Sequence, residues 1–127
     1  NDACHLILRG SKSGQNYTRD EIDPVSSKLR EIDLPEQLMV DCSHGNSNKD
    51  FRNQPMVAAD LCAQMADGAK DIAAVMIESN IVEGNQKISD DMVYGQSVTD
   101  ACINWQTTEE VLEAFAKAVQ ARRSKND

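Results

Sequence analysis

Short runs of apolar residues recur along this chain, and a polar or charged residue follows each run. Residues 6–8 are followed by Arg9, residues 38–40 are followed a few positions later by His44, and residues 73–77 are followed by Glu78. These polar residues are about 35 positions apart. Because a β/α/β unit needs roughly 30 residues or more, the pattern predicts three parallel strands with a helix between each pair.

The first connecting helix has two possible starts. Thr18 and Glu21 have capping-box spacing, which favours a helix that begins just after Thr18 and ends near Asp33. Pro24 fits this helix poorly, since an interior proline costs about 3 kcal/mol. A start with Asp23 as the cap and Pro24 in the first turn is the alternative.

Two more helices are predicted further along the chain. The second covers residues 55–67 and is ended by Gly68. The last begins at the capping-box pair Thr107 and Glu110, and residues 124–127 are expected to be a frayed tail. The apolar face of the last helix and the basic residues near its end are Val111, Leu112, Phe115, Val119, Arg122 and Arg123.

The predicted order of elements is β-α-β-α-β-loop-α, which is typical of a parallel sheet covered by helices. Residues 82–105 have no clear period, and we expect a functional loop there because loops beyond about 12–15 residues are usually functional or disordered. Three parallel strands leave two unpaired edges, and a closed (β/α)8 barrel removes them.

We therefore predict an α/β fold in which residues 1–127 are a single partial domain, the C-terminal portion of a TIM barrel. The chain opens at Asn1, without an initiator Met and only a few residues before the first strand, which indicates a piece of a longer protein. The residues expected to line the inside of the barrel are Leu6, Leu8, Val75 and Ile77.

Composition excludes several classes of function. The formal net charge is −8 and the pI is about 4.7, which argues against a nucleic-acid partner. The longest apolar run is far shorter than the roughly 20 residues that span a bilayer. The four cysteines form no C-x-x-C pair, so we expect reduced thiols and a cytoplasmic protein.

Polar residues at the ends of neighbouring parallel strands meet at one edge of a sheet, so Arg9, His44 and Glu78 are expected to share a site. The alternative is that each strand ends in a charged residue because it reaches solvent. His44 and Glu78, with Asp100 on the long loop, form a nitrogen and oxygen ligand set that suits divalent Mn, Fe, Zn or Co. A surface histidine and two solvated carboxylates are about equally compatible with the spacing.

Arg9 is suited to hold an anion, since its planar guanidinium matches a phosphate group with two parallel hydrogen bonds. A salt bridge to a neighbouring residue is the alternative. Cys42 or Ser43 beside His44 also forms a candidate nucleophile pair. Adjacent strand residues point to opposite faces, which argues against a contact between Ser43 and His44.

Five segments together resemble the C-terminal part of one enzyme family. They are residues 4–10 (CHLILRG), 41–49 (DCSHGNSNK), 75–79 (VMIES), 83–86 (EGNQ) and 94–103 (YGQSVTDACI). In order and spacing they are similar to type I 3-deoxy-D-arabino-heptulosonate 7-phosphate (DAHP) synthase. The resemblance covers nearly the whole chain, and five blocks together are far more specific than any one of them.

The resemblance implies the first step of the shikimate pathway, in which phosphoenolpyruvate and erythrose 4-phosphate condense and inorganic phosphate leaves. It implies a TIM barrel of which this chain forms units six to eight, and a homo-oligomer is expected. Arg9 matches the arginine that holds the phosphoenolpyruvate phosphate. His44, Glu78 and Asp100 match three of four ligands to a divalent metal ion, and His44 or Asp100 is a candidate to move a proton.

The chain also departs from the family pattern. The fourth metal ligand of the family is a cysteine on an early strand, and none of the four cysteines here matches it. Ser11 stands where members often carry a second glycine, and Asn80 where some carry a histidine. We therefore expect residues 1–127 alone to be inactive. The alternatives are a metal- or phosphate-binding α/β module without catalysis and a purely structural piece.

Overall fold

The computed structural model describes residues 4–126 and contains one three-stranded parallel sheet. Its strands are β1 (Leu6–Leu8), β2 (Leu38–Asp41) and β3 (Ile72–Met76), in the order β1-β2-β3. In the register, Leu8 pairs with Val40, and Val40 pairs with Val75. The prediction of consecutive parallel strands joined by helices is confirmed.

The connecting helices are α1 (Arg19–Glu31) and α2 (Gln54–Ala66). The backbone N–H of Thr18 donates to the Glu21 carboxylate at 3.2 Å, so the first of the two predicted starts is correct and Pro24 lies inside α1. A short 3₁₀ helix, Phe51–Asn53, precedes α2.

The last helix, α3 (Trp105–Asn126), differs from its prediction at both ends. Asn104 caps it, because the N–H of Thr107 donates to Asn104 Oδ1 at 2.9 Å, so the predicted cap at Thr107 is wrong. The helix continues through Ser124 and Lys125, which were expected to fray, and Asp127 lies outside the described residues. Leu112, assigned to the apolar face, is 51% exposed.

One face of the sheet packs against all three helices to form a single core. Every helix and every strand of the sheet contributes a side chain to it, among them Leu8, Ile22, Val40, Leu61, Ile72 and Phe115. Helices α2 and α3 also pack against each other. The carboxyl ends of the three strands are thereby held at one edge of the sheet.

The sequence-based assignment of Leu8, Val75 and Ile77 to the inside of the barrel is wrong. Leu8 is buried in the core, and Val75 and Ile77 pack against the same core, so these side chains lie on the helix-covered side. Ile7 and Met39, which pair with each other, lie on the face of the sheet that the helices do not cover, and Ile7 is 45% exposed there. Alternation along a strand separates two faces, but it does not tell which face the helices cover.

Residues 82–105 are ordered by two very short strands, β4 (Val82–Asn85) and β5 (Gln96–Ser97), which pair in parallel. Gly84 also exchanges two backbone hydrogen bonds with Cys102, at 2.9 and 3.1 Å. Strands of two to four residues are too short to produce a visible period in the sequence. Within the described residues no helix is both long and apolar enough to cross a membrane.

Candidate metal centre

His44 lies in a tight turn that follows β2. Its φ is 47°, in the left-handed region that non-glycine residues seldom occupy. The turn is closed by backbone hydrogen bonds, including one from the N–H of Lys49 to the His44 carbonyl at 2.8 Å. Backbone strain of this kind is often concentrated at functional sites, and in this turn the imidazole of His44 faces Glu78, just after β3.

The two nitrogens of the His44 ring face different partners. Nδ1 lies 2.7 Å from Oδ2 of Asp41, whose side chain is 1% exposed. Nε2 lies 3.5 Å from Glu78 Oε1 and 3.8 Å from Asp100 Oδ2. In the tautomer whose Nδ1–H donates to the Asp41 carboxylate, Nε2 is the ring nitrogen available to bind a metal ion, and it faces the two other carboxylates.

Glu78 follows β3 and is held through its backbone. The side-chain amide of Gln54, at the start of α2, donates to the Glu78 carbonyl at 3.1 Å and accepts from the Glu78 N–H at 2.9 Å. Gln54 is fully buried. Both polar atoms of the Gln54 amide therefore bind the backbone of Glu78, which fixes the position of this residue just after β3.

Asp100 comes from the loop after β5, and its side chain is 63% exposed. Neighbouring contacts hold the loop backbone: Asn85 Nδ2 donates to the Thr99 carbonyl at 2.8 Å, and the Thr99 N–H donates to Ser97 Oγ at 3.1 Å. Asp100 is therefore the most solvent-accessible of the three candidate ligands, held by a loop rather than by a strand end.

The structure brings His44, Glu78 and Asp100 together, as the strand-end spacing and the motif match together predicted. One potential ligand atom from each residue lies within 4.8 Å of the others. One imidazole nitrogen with two carboxylates is a donor set that fits a first-row divalent ion, and three protein ligands leave positions open for a substrate. The orientation of Nε2 towards both carboxylates supports the fit. The role of these residues as metal ligands stays a prediction.

Arg9 is exposed at the end of β1. The turn that follows it touches the His44 turn, because a Cβ placed on Gly10 would lie 2.5 Å from the carbonyl carbon of Gly45. The arginine therefore belongs to the same edge of the sheet as the three clustered side chains. Its role as a phosphate ligand stays a prediction.

A small cavity of about 130 Å³ opens beside His44 and Asp100. Its lining residues are Ser43, His44, Lys49, Phe51, Asp100 and Ala101. Lys49, which was not among the predicted site residues, brings a positive charge to this opening. The sequence analysis also missed Asp41, which contacts the His44 ring, and Gln54, which holds the Glu78 backbone. For Asp41 the sequence offered one sign, an acidic residue three positions before a candidate ligand histidine.

The structure changes the argument about a nucleophile next to His44. Strand β2 ends at Asp41, so strand alternation does not govern Ser43 and His44. Cys42 is buried, and burial, followed by the charge of Asp41, raises the pKa of its thiol to about 12. Since the thiolate is the reactive form, Cys42 is unsuited to nucleophilic attack. All four cysteines are free.

The fold and the site together define an α/β protein with parallel β/α units and a candidate metal centre at the carboxyl edge of its sheet. A profile of the DAHP synthetase I family matches residues 1–113. The chain therefore belongs to the DAHP synthetase I family.

Individual relatives agree with this membership. The chain is 50% identical to a putative phospho-2-dehydro-3-deoxyheptonate aldolase of Schizosaccharomyces pombe, over 98% of this chain and 35% of the relative. It is 47% identical to the Phe-sensitive phospho-2-dehydro-3-deoxyheptonate aldolase of Escherichia coli K12, over 97% and 35%. The matched region is the C-terminal part of these relatives.

A solved structure has the same fold. The phospho-2-dehydro-3-deoxyheptonate aldolase of Francisella tularensis SCHU S4 superposes with a TM-score of 0.92 at 46% identity, over 96% of this chain and 36% of that one. The chain thus spans about a third of the length of the relatives that it matches.

Proposed function

We propose that this chain is the C-terminal part of a DAHP synthase, with residues 1–127 a single partial domain that forms units six to eight of a TIM barrel. The full-length enzyme condenses phosphoenolpyruvate with erythrose 4-phosphate to DAHP and releases inorganic phosphate, the first step of aromatic amino acid biosynthesis. Three consecutive parallel strands whose carboxyl ends share one edge support the barrel assignment. Family membership supports the reaction.

The observation that carries this proposal is the convergence of His44 Nε2 with the Glu78 and Asp100 carboxylates. These three residues would hold a divalent Mn, Fe, Zn or Co ion, with a fourth ligand, a cysteine in the family, from outside this chain. When bound, the ion supplies Lewis-acid polarisation of a carbonyl oxygen. The carbonyl in question is the aldehyde of erythrose 4-phosphate.

The residues of this chain have separate tasks in the reaction. Arg9 binds and orients the phosphate of phosphoenolpyruvate through its planar guanidinium. His44 presents Nε2, held in place by the hydrogen bond between Nδ1 and Asp41. His44 or Asp100 moves a proton during the condensation. The exposure of Asp100 and its place on a loop favour it for contact with the substrate.

The proposed partners are small molecules, phosphoenolpyruvate and erythrose 4-phosphate, together with further copies of the enzyme in a homo-oligomer. The net charge of −8 disfavours nucleic acid. We place the enzyme in the cytoplasm and away from membranes, a setting in which four free cysteines are expected.

A non-catalytic metal- or phosphate-binding α/β module is the alternative function. The Arg9 turn and the cluster of candidate ligands would suffice for such a module. The matched relatives carry the names of enzymes, which does not favour this alternative.

The test is DAHP formation by the full-length protein that contains this chain, after chelation and again after Mn²⁺ is restored. We expect no product after chelation, recovery with Mn²⁺, and no product from residues 1–127 alone at any metal concentration. A full-length protein that binds Mn²⁺ and phosphoenolpyruvate without forming DAHP would favour the module. Turnover by residues 1–127 alone would contradict the assignment of missing site residues.

A further inference from the structure

The side chain of Asn46 joins the carboxyl ends of β1 and β2. Its Nδ2 donates to the carbonyl of Leu8 at 3.1 Å and to the carbonyl of Asp41 at 2.9 Å. Its Oδ1 accepts from the backbone N–H of Asn16 at 2.8 Å. Asn46 is fully buried, so water is not available to replace these bonds, and an amide is the neutral group that supplies both donors and the acceptor.

The strand ends that Asn46 joins carry the two chemical groups of the proposed site. Leu8 directly precedes Arg9, and Asp41 accepts from the ring of His44. A displacement of the Leu8 carbonyl moves Arg9, and a displacement of the Asp41 backbone moves the carboxylate that orients His44.

Two glycines bring the same turns into direct backbone contact. A Cβ on Gly10, whose φ is 74°, would lie 2.6 Å from the N of Asn46, and a Cβ on Gly45 would lie 2.9 Å from the carbonyl oxygen of Arg9. Real Cβ atoms do not approach backbone this closely. The Arg9 turn and the His44 turn therefore rest on each other without an intervening side chain.

A second layer of hydrogen bonds closes around this contact. Asn16 Oδ1 accepts from the N–H of Gly10 at 2.7 Å, and Gln15 Nε2 donates to the Asn46 carbonyl at 2.8 Å. The turn after Arg9 is thus tied at both of its ends to Asn46. These short hydrogen bonds, each at least partly shielded from solvent, fix the distance between the two turns.

We propose that Asn46 is a positioning residue that sets the separation between Arg9 and His44, so that the phosphate group and the metal ion are held as one unit. This inference rests on the proposed function, because it assigns phosphate to Arg9 and metal to His44. Asn46 itself touches neither ligand; it acts through the ends of β1 and β2.

The first test is Asn46→Asp in the full-length protein. The change keeps the shape but replaces the NH₂ donor by an oxygen that faces two carbonyl oxygens, which is repulsive. We expect the dissociation constants of Mn²⁺ and of phosphoenolpyruvate, each measured by titration calorimetry, to rise about tenfold or more, as for other residues that orient ligands. Asn48→Asp, an exposed residue in the same turn, is the matched control and should change neither constant.

A second variant covers the case in which Asn46→Asp does not fold. Asn46→Ala removes both donors and the acceptor without placing an oxygen against the Leu8 and Asp41 carbonyls. It should weaken the binding of phosphoenolpyruvate and of Mn²⁺ together. A folded Asn46→Ala protein that binds both ligands like the wild type, or that loses affinity for only one of them, would contradict the proposed linkage.

A double-mutant cycle separates positioning from general loosening. If Asn46 acts on phosphate binding through Arg9, then Asn46→Asp should have no further effect on phosphoenolpyruvate affinity once Arg9→Ala is present. A purely structural defect would weaken binding in both backgrounds. An undiminished effect in the Arg9→Ala background overturns the inference.

Failure of the inference and failure of the proposed function give different results. If His44→Ala leaves Mn²⁺ binding unchanged in the full-length protein, the proposed metal centre is wrong. If His44→Ala abolishes binding while Asn46→Asp binds both ligands like the wild type, only the positioning role is wrong.

Discussion

His44 Nδ1 lies 2.7 Å from Oδ2 of Asp41, a carboxylate that is almost completely shielded from solvent. The other oxygen of this carboxylate, Oδ1, accepts from the N–H of Ser43 at 2.7 Å. Asp41 therefore holds both the backbone of the turn and the ring that the turn carries. This pairing decides which nitrogen of His44 faces Glu78 and Asp100.

Asp41→Asn should weaken metal binding by the full-length protein. The side-chain oxygen of asparagine can still accept from Ser43, which leaves the NH₂ group facing His44 Nδ1. The ring must then place its proton on Nε2, which removes the lone pair from the proposed ligand atom. We expect Mn²⁺ affinity to fall about 10- to 100-fold, measured by titration calorimetry.

Asp50→Asn is the matched control for this change. Asp50 lies in the same loop and pairs with Arg52 at the surface, and asparagine is as good as aspartate at capping a helix. Metal affinity should stay at the wild-type value. If Asp50→Asn lowered Mn²⁺ affinity as much as Asp41→Asn, the loss of any negative charge in this loop would weaken binding. That result would contradict a specific role of Asp41 in orienting the His44 ring.

Gln54→Glu should displace Glu78 because the carboxylate cannot donate to the Glu78 carbonyl. The variant places two oxygens against each other at a fully buried position. We expect weaker Mn²⁺ binding together with a lower melting temperature, since a buried group left without its partner costs about 1–3 kcal/mol. Metal titration and thermal unfolding of the full-length protein are the measurements.

The control for Gln54→Glu is the same substitution at Gln106, which is exposed in the first turn of α3. An acidic residue is favoured there by the helix dipole, so neither metal affinity nor melting temperature should fall. Wild-type metal affinity in Gln54→Glu would show that the Glu78 backbone is held by other contacts.

Gly10→Ala should be more destabilising than Gly14→Ala. Both glycines have positive φ, 74° and 137°, so both variants strain the backbone. Gly10 alone also meets Gly45 and Asn46, whereas no atom lies within 4 Å of a Cβ on Gly14. We expect an additional loss of about 1–3 kcal/mol for Gly10→Ala, measured by urea unfolding of the full-length protein. Equal losses would mean that the two turns are not in contact.

Asp71→Asn should reduce stability at neutral pH and remove part of the acid sensitivity. Asp71, 13% exposed, accepts from Arg19 and from Ser26 Oγ, the latter at 2.6 Å. Burial alone would raise the pKa of this carboxyl, but the bonds from Arg19 and Ser26 outweigh it and lower the pKa below its ordinary 3.8. The stabilisation is therefore present above about pH 4 and is lost as the pH falls through the lower, folded-state value.

Urea unfolding at neutral pH and below pH 4 tests this prediction. Asp71→Asn should cost about 1.5–3 kcal/mol at neutral pH, and less under acid conditions. Glu36→Gln is the control: Arg30 likewise lowers the pKa of Glu36, but that pair lies at the surface, where solvent screens it. We expect no measurable change. A constant difference between Asp71→Asn and wild type at every pH would contradict the ionic role.

The sequence was sufficient for the order of the three sheet strands and the three helices, and for the placement of His44 and Glu78 at one edge of the sheet. Both depend on local periods and on chain spacing: runs about 35 residues apart place His44 and Glu78 at one edge of a parallel sheet. Asp100 needed the motif match, because residues 82–105 carry no period from which its position could be derived.

Other features depend on packing that the sequence does not display. Gln54 reads as a solvent-facing residue at the start of a helix, and only its burial beneath Glu78 gives it a role. Asn104 and Thr107 are both good caps three residues apart, and in the structure the Asn104 side chain accepts from the Thr107 N–H, so α3 begins after the earlier one. The sequence shows which side chains of β1 and β3 share a face, but it does not show which face the helices cover.

The central claim is that His44, Glu78 and Asp100 form the metal centre of a DAHP synthase. Its most direct test compares full-length wild type with Glu78→Gln, with Mn²⁺ content and DAHP formation measured on the same samples. Our account predicts that wild type retains Mn²⁺ and forms DAHP, and that Glu78→Gln loses both. A Glu78→Gln enzyme with wild-type metal content and wild-type turnover would contradict it.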